Sequence, residues 1–218
     1  MTTLQWVRYV LKPLVFSAAL LPFVWIVLSA FNLVGPGLGA NPVEALLDHF
    51  GTLGLRFVMI ALAVTPLRRL TGLNWLIQFR RMLGLFAAFY VTLHLAVYVF
   101  LDQGLVVQPI VEDIVKRPFI TLGMIAWLLL AALSVTSFMY IRRRMGKRWQ
   151  QLHYSVYAVG VLAVWHYWWQ VKKDITEPVI YAAVLALLLG LRVFWSWQKR
   201  RRSHVRQSTM RVSPSATS

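Results

Sequence analysis

The sequence predicts an all-α membrane protein, a six-transmembrane-helix bundle with both termini cytoplasmic. Three observations predict it. Of 218 residues, 59% are hydrophobic and 14% charged, where a soluble domain carries roughly 45–50% apolar and about 25% charged residues; mean hydropathy is +0.62. So little charge cannot cover a water-soluble globule. Six apolar stretches approach the ~20 residues that cross ~30 Å of hydrocarbon. The basic residues also load every second connection, the pattern that orients membrane helices. The excess of 23 Lys+Arg over 7 Asp+Glu would suit nucleic acid in a soluble chain; beside these apolar runs it points to a lipid bilayer and to no nucleic acid.

Taken in order, residues 14–34 form an uncharged stretch of 21. Arg8 and Lys12 precede it as in a secretory leader. Its length exceeds the roughly 7–15-residue apolar region of a leader, and Ser29-Ala30 is a poor cleavage site, so it is read as a retained span. Residues 51–67 are shorter and contain Arg56. Residues 82–101 contain His94, residues 118–141 carry no charge, residues 149–171 contain His153 and His166, and residues 178–197 contain Arg192 near their end. Trp6, Trp75, Tyr140, Trp149, Trp168, Trp169, Trp195 and Trp197 stand near stretch ends, where amphipathic rings anchor at the headgroups.

The connections divide by charge. Arg8, Lys12, Arg68, Arg69, Arg80, Arg81, Arg142, Arg143, Arg144, Lys147, Arg148 and six basic residues after 198 fall on one side, 17 in all. The other side carries Lys116, Arg117, Lys172 and Lys173, together with all 7 acidic residues. The basic side is cytoplasmic by the positive-inside rule. Residues 1–198 are read as one six-helix domain, and 199–218 as a basic, then Ser/Thr-rich, disordered tail touching lipid. No internal repeat is visible.

With no cysteine, disulfides, Cys-ligated zinc, iron–sulfur clusters and C-x-x-C-H haem attachment are excluded. Of five histidines, His204 lies in the tail and His49 in a connection, while His94, His153 and His166 lie in predicted spans. Ionisable groups at membrane depth are costly and mark function. Both histidine-bearing stretches run outward, so His94 and His166 reach similar depth on two helices, where two imidazoles can hold haem b iron axially. His153 lies 13 residues before His166, or ~20 Å along one helix, near the cytoplasmic end. It has no second histidine at its depth; Arg80, Arg81 and Met82 stand there instead, so His153 is read either as a ligand of a second haem whose other ligand is not histidine or as a group that takes a proton or hydrogen bond from quinol. On one straight helix His153 and His166 would also differ widely in azimuth. Arg56 has two readings, a snorkelling side chain or a cation for haem propionates. The Arg142, Arg143, Arg144 run and Lys147-Arg148 serve chiefly as topology determinants and would also suit a phosphate or an acidic electron donor. No G-x-G-x-x-G follows a strand-like segment and no P-loop occurs, so electrons must come from quinol or from another protein.

Arg80-Arg81-Met82-Leu83-Gly84-Leu85, followed by Thr92-Leu93-His94-Leu95, resembles the third span of the MsrQ (older name YedZ) family. So do Gly146-Lys147-Arg148-Trp149-Gln150-Gln151-Leu152-His153 with His166-Tyr167, Arg117-Pro118-Phe119-Ile120-Thr121-Leu122-Gly123, and Leu38-Gly39-Ala40-Asn41-Pro42-Val43. The match covers nearly the whole chain except the tail. MsrQ is the haem-binding membrane subunit of a bacterial periplasmic methionine sulfoxide reductase, within the ferric-reductase-like transmembrane family related to NADPH oxidases.

The resemblance implies an inner-membrane electron-transfer subunit rather than a catalytic one. Electrons would pass from the quinone pool, or from a cytoplasmic flavin reductase, through haem b to the periplasmic molybdopterin subunit MsrP. It also implies FMN. Relatives carry paired histidines on the third and fifth spans, which His94, His153 and His166 match; the fourth, inner histidine is absent, and Arg80 and Arg81 occupy that region, suited to a propionate or an FMN phosphate. The rival readings are a stand-alone ferric or quinone reductase and a non-catalytic membrane anchor.

Overall fold

A computed structural model describes residues 2–171 and 174–212. Lys172, Lys173 and the last six residues of the tail lie outside the described residues, as do the side chains beyond Arg201. Every regular element among the described residues is helical. Five helices are long and apolar enough to cross a membrane: Thr3–Ala30 (α1), Pro42–Thr71 (α2), Asn74–Asp102, Pro118–Val135 (α5) and Thr176–Arg201. Within the third, a 3-10 turn at Asn74–Phe79 leads into α3, Arg80–Val97, which ends in a π-helical turn, Tyr98–Asp102. Shorter helices are α4 (Val107–Lys116), α6 (Met139–Met145), α7 (Lys147–His153) and α8 (Val156–Gln170). The last helix, α9, runs from Thr176 to Val212, past the predicted end of its span.

Local chemistry sets the boundaries. Asn41 accepts a hydrogen bond from the Glu44 N–H and donates from Nδ2 to the Glu44 carboxylate at 2.9 Å. With Pro42 at the first helical position, this caps α2. The left-handed Gly72, φ 73°, closes it, its N–H returning to the Arg68 carbonyl. The predicted stretch 118–141 stops at Val135 instead. There Ser134, Thr136 and Ser137 turn their hydroxyls back onto the carbonyls of Leu130, Ala132 and Leu133, a competition that loosens helices. The predicted stretch 149–171 is not one helix: it breaks at Tyr154 and Ser155, where the Ser155 hydroxyl donates to the Leu152 carbonyl at 2.7 Å. His153 and His166 thus belong to separate helices, α7 and α8, which corrects the single-helix spacing expected above. At 15 residues, α8 is shorter than the five long helices.

Four helices form the centre. α2 packs most extensively on α3 and α5 on α8; α3 also meets α5, and α2 meets α8. Both pairs are antiparallel. Leu47 meets His94 while Phe57 stacks on Tyr90 and on Phe86; Phe119 meets His166 while Thr136 meets His153. One end of the bundle carries Asp48, Asp102 and Arg117; the other carries Arg69, Arg80 and Arg142. α9 lies outside against α8 and α2. Arg192 on α9 donates to the Leu62 carbonyl and sits 4.8 Å over the Tyr157 ring. Large apolar side chains such as Leu21, Leu128 and Leu187 stay exposed around the bundle, as a lipid-facing surface requires.

α1 is fastened by aromatic contacts. Phe23 meets Phe89 edge-on at 5.3 Å, and Phe16 lies 5.2 Å from Phe86. The Tyr90 hydroxyl, on a fully buried side chain, donates to the Ala19 carbonyl at 2.6 Å. In an apolar interior that hydroxyl needs its partner. On the far side, α4 is tied to its neighbours by Tyr98 donating to Asp113 at 3.1 Å and by the Arg117–Asp113 ion pair. Hydrogen bonds from Lys116 and Gln108 hold the Glu112 carboxyl below its usual range.

Tyr90→Phe keeps the stacking on Phe57 and removes only the hydrogen bond to α1. The expected loss is about 1 kcal/mol, read as a lower thermal midpoint of the detergent-solubilised protein. Tyr90→Ala should cost about 3–5 kcal/mol. An unchanged midpoint in Tyr90→Phe would show that the bond does not hold α1.

Candidate haem site between four helices

A cavity of about 290 Å³ opens between α2, α3, α5 and α8 near the end that carries Asp48, Asp102 and Arg117. Its wall is mostly apolar, with Leu55, Val91 and Ala163 among the lining residues. Two imidazoles enter it, His94 from α3 and His166 from α8. Both are half-buried, and their ring centres stand 6.2 Å apart with planes at 85°.

Each ring is anchored from behind. Nδ1 of His94 lies 2.9 Å from the Leu47 carbonyl, and Nδ1 of His166 lies 2.7 Å from the Phe119 carbonyl. A carbonyl only accepts, so each Nδ1 carries the proton and donates; this tautomer is assigned from the bonding pattern. Nε2 is left with a free lone pair, the state a metal ligand needs. Two metal–nitrogen bonds of about 2 Å, with roughly 1 Å from each ring centre to its nitrogen, place the centres of two axial imidazoles about 6 Å apart. The observed separation agrees. Among the described residues no group of three or more His, Asp or Glu could hold an ion, so the pair is not part of a multidentate metal cage. Two neutral, opposed imidazoles in an apolar slot fit a haem iron.

The other expected residues lie elsewhere. Arg56 is exposed mid-way along α2 and donates from Nε to the Tyr181 hydroxyl at 2.9 Å. It does not line the cavity; Tyr181 meets the cavity-lining Tyr167 ring-to-ring at 5.9 Å, and Tyr167 donates to Glu177 at 2.8 Å. The cation at the mouth is Arg117, with Tyr98 and Tyr167 beside it. Sequence reasoning had not assigned Arg117 to the site, although the Arg117-Pro118-Phe119 motif marked the place.

His153 occupies a second cluster at the opposite end. Its ring stacks on Trp149 at 3.9 Å. Trp149 donates from Nε1 to the Thr136 carbonyl at 2.9 Å, and Arg142 lies 4.7 Å over its ring. Thr136 gives its hydroxyl proton to the Ala132 carbonyl at 2.7 Å, so towards His153 Nε2, 3.3 Å away, it accepts. On this bonding pattern His153 Nε2 is assigned as the protonated nitrogen. Arg80 and Arg142 are the charges within reach of the ring. Arg80 and Arg81 are themselves exposed at the start of α3.

The family described as ferric reductase like transmembrane component matches residues 50–164. A Bordetella pertussis protein named protein-methionine-sulfoxide reductase heme-binding subunit MsrQ is 49% identical over 193 residues, covering 87% of this chain and 92% of the relative. A protein of the same name from Herminiimonas arsenicoxydans is 46% identical over 202 residues, 91% of each chain. Another from Xanthomonas oryzae pv. oryzae is 46% identical over 211 residues, 95% of each. The chain belongs to the MsrQ family. The stretch shared with the wider ferric-reductase-like family takes in His94 and His153 and stops just short of His166.

Trp149 holds α5, α6 and α7 together through three contacts. Trp149→Ala should loosen the segment around Arg142, Arg143, Arg144, Lys147 and Arg148. The expected result is trypsin cleavage there several-fold faster than in the wild type, while the four-helix centre stays resistant. Equal cleavage rates would show that the cluster does not brace this segment.

Proposed function

We propose that the chain is a b-type haem subunit that carries electrons across the bacterial inner membrane to a periplasmic methionine sulfoxide reductase. The observation that carries this reading is the pair His94 and His166, each with Nδ1 occupied and with ring centres 6.2 Å apart in one apolar cavity. The names of relatives 46–49% identical to the chain support it. Haem bound there supplies a one-electron iron(III)/iron(II) couple at membrane depth. His94 and His166 would hold the iron through Nε2. Arg117, with Tyr98 and Tyr167, stands at the mouth to receive propionates, a role the sequence had suggested for Arg56. The apolar wall excludes water and keeps the couple from leaking to solvent.

The orientation follows from charge. α5 and α9 both run from the acidic end towards the basic end, so α7 and α8 together make the return crossing, a sixth span. The basic end then faces the cytoplasm with both termini, and the haem cavity lies towards the periplasm, where MsrP would collect electrons. Electrons enter at the basic end. There Arg80, Arg81 and Arg142 suit an anionic donor, an FMN phosphate or the acidic surface of a flavin reductase. With Nε2 engaged by Thr136, His153 keeps Nδ1 as a base for the proton released when a quinol is oxidised.

A reduced-minus-oxidised spectrum of the purified chain should show a b-type cytochrome. His94→Ala and His166→Ala should each lose most of the haem while still inserting in the membrane; full retention in both would defeat the assignment. Because the ring planes are near perpendicular, the oxidised protein should give a strongly anisotropic low-spin EPR signal, and the rhombic signal of parallel rings would contradict the geometry. Reduction of soluble iron chelates but not of MsrP would favour the stand-alone ferric reductase. A C-terminal reporter active only in the periplasm would overturn the orientation.

A further inference from the structure

The two histidine anchors are built alike. Each histidine follows its carbonyl partner by 47 residues. Each carbonyl lies one helical turn before a glycine, Leu47 before Gly51 and Phe119 before Gly123. Each glycine is where the imidazole touches the helix. A methyl group at Gly51 would sit 3.0 Å from Nδ1 and 3.2 Å from Cε1 of His94; one at Gly123 would sit 2.9 Å and 3.0 Å from the same atoms of His166. These distances are too short for a side chain to be added without moving the ring. The same device therefore occurs once in the α2–α3 pair and once in the α5–α8 pair, on opposite walls of the cavity.

We propose that Gly51 and Gly123 are positioning residues for the two axial imidazoles. Each lets a ring lie flat against a neighbouring helix, with Nδ1–H on the carbonyl one turn earlier and Nε2 turned to the cavity. This rests on the haem reading above and adds to it what sets ring position and tautomer. The bare backbone has two effects. It brings the acceptor carbonyl within reach of Nδ1, which fixes the protonation pattern that leaves Nε2 free. It also sets how far each ring stands back, and hence the gap between the two Nε2 atoms. An alanine at either position would push its ring towards the cavity, shorten that gap and lengthen the Nδ1 bond. Gly54 and Gly160 are also closely packed, against Val91 and against Leu185 and Leu62, but an added methyl meets an imidazole only at Gly51 and Gly123 among the described glycines; Gly84, on α3, and Gly190, on α9, have no other atoms within 4 Å of an added methyl.

The test compares Gly51→Ala, Gly123→Ala and the control Gly84→Ala in the full chain, purified in detergent. Haem per chain, the oxidised spectrum and the midpoint potential are measured. Gly84→Ala should match the wild type. Gly51→Ala and Gly123→Ala should each bind haem about 10–100-fold more weakly, the usual cost of disturbing a partner that orients a metal ligand. The haem that remains should be partly high-spin with a shifted potential. Free imidazole separates a displaced ring from a damaged fold. His94→Gly should regain low-spin haem when imidazole is added, and Gly51→Ala/His94→Gly should regain it equally, because an untethered ring can take up the shift. Wild-type haem content and spectrum in both alanine variants would overturn the proposal. So would failure of imidazole to restore the double variant while it restores His94→Gly, since Gly51 would then serve the fold alone. Absence of haem from the wild type would instead overturn the haem reading itself.

Discussion

The arrangement of the bundle turns on two hydrogen bonds, from Nδ1 of His94 to the Leu47 carbonyl and from Nδ1 of His166 to the Phe119 carbonyl. Each crosses between helices beside a mostly apolar cavity, where a ring that lost its carbonyl would find few substitute partners. Both acceptors are backbone atoms of membrane-crossing helices. The two bonds orient the imidazoles, fix which nitrogen is protonated, and set α2 against α3 and α5 against α8. The cavity between the pairs exists because both rings are held back against their neighbours. Trp127, donating to Thr92 at 3.2 Å, braces α5 against α3 beside it.

The rest of the fold divides between two ends of unlike charge. At one end carboxylates have partners: Asp113 with Tyr98 and Arg117, Glu177 with Tyr167, Glu112 with Lys116. At the other, guanidinium groups rest on aromatic rings, Arg69 on Trp195, Arg142 on Trp149 and Arg192 on Tyr157. Aromatic faces attract cations and tolerate an interfacial environment, so these rings hold the guanidinium groups at the basic end. The same end is therefore suited to anionic partners.

Much of the fold was legible in sequence because hydrocarbon imposes a length on any helix that crosses it. The first four stretches and the last correspond to long helices. His94 and His166 meet in one cavity, and their common depth on outward-running helices can be counted along the chain. Helix breaks were less visible. Ser134, Thr136 and Ser137 read as tolerable in an apolar run, yet their hydroxyls take helix carbonyls and end α5. The break before Val156 has no proline or glycine to announce it. Depth leaves Arg56 open between snorkelling and a propionate partner because it does not say which face of α2 the residue occupies; it faces Tyr181, while Arg117 stands at the cavity.

By itself, the sequence determined the solvent of this protein, its helical class, the separation of basic from acidic connections, and the two histidines able to meet. These are consequences of composition and of spacing along one dimension, which hydrophobicity and charge read directly. Tertiary structure alone decided which nitrogen of each histidine faces inward, that Gly51 and Gly123 serve as matching seats, and that His153 belongs to a separate cluster with Trp149 and Thr136. Those features depend on azimuth around a helix axis and on contacts across 47 residues of chain. The repeated device also leaves no internal repeat visible in sequence. What repeats is a glycine, a carbonyl and a histidine in space, and a backbone carbonyl has no letter.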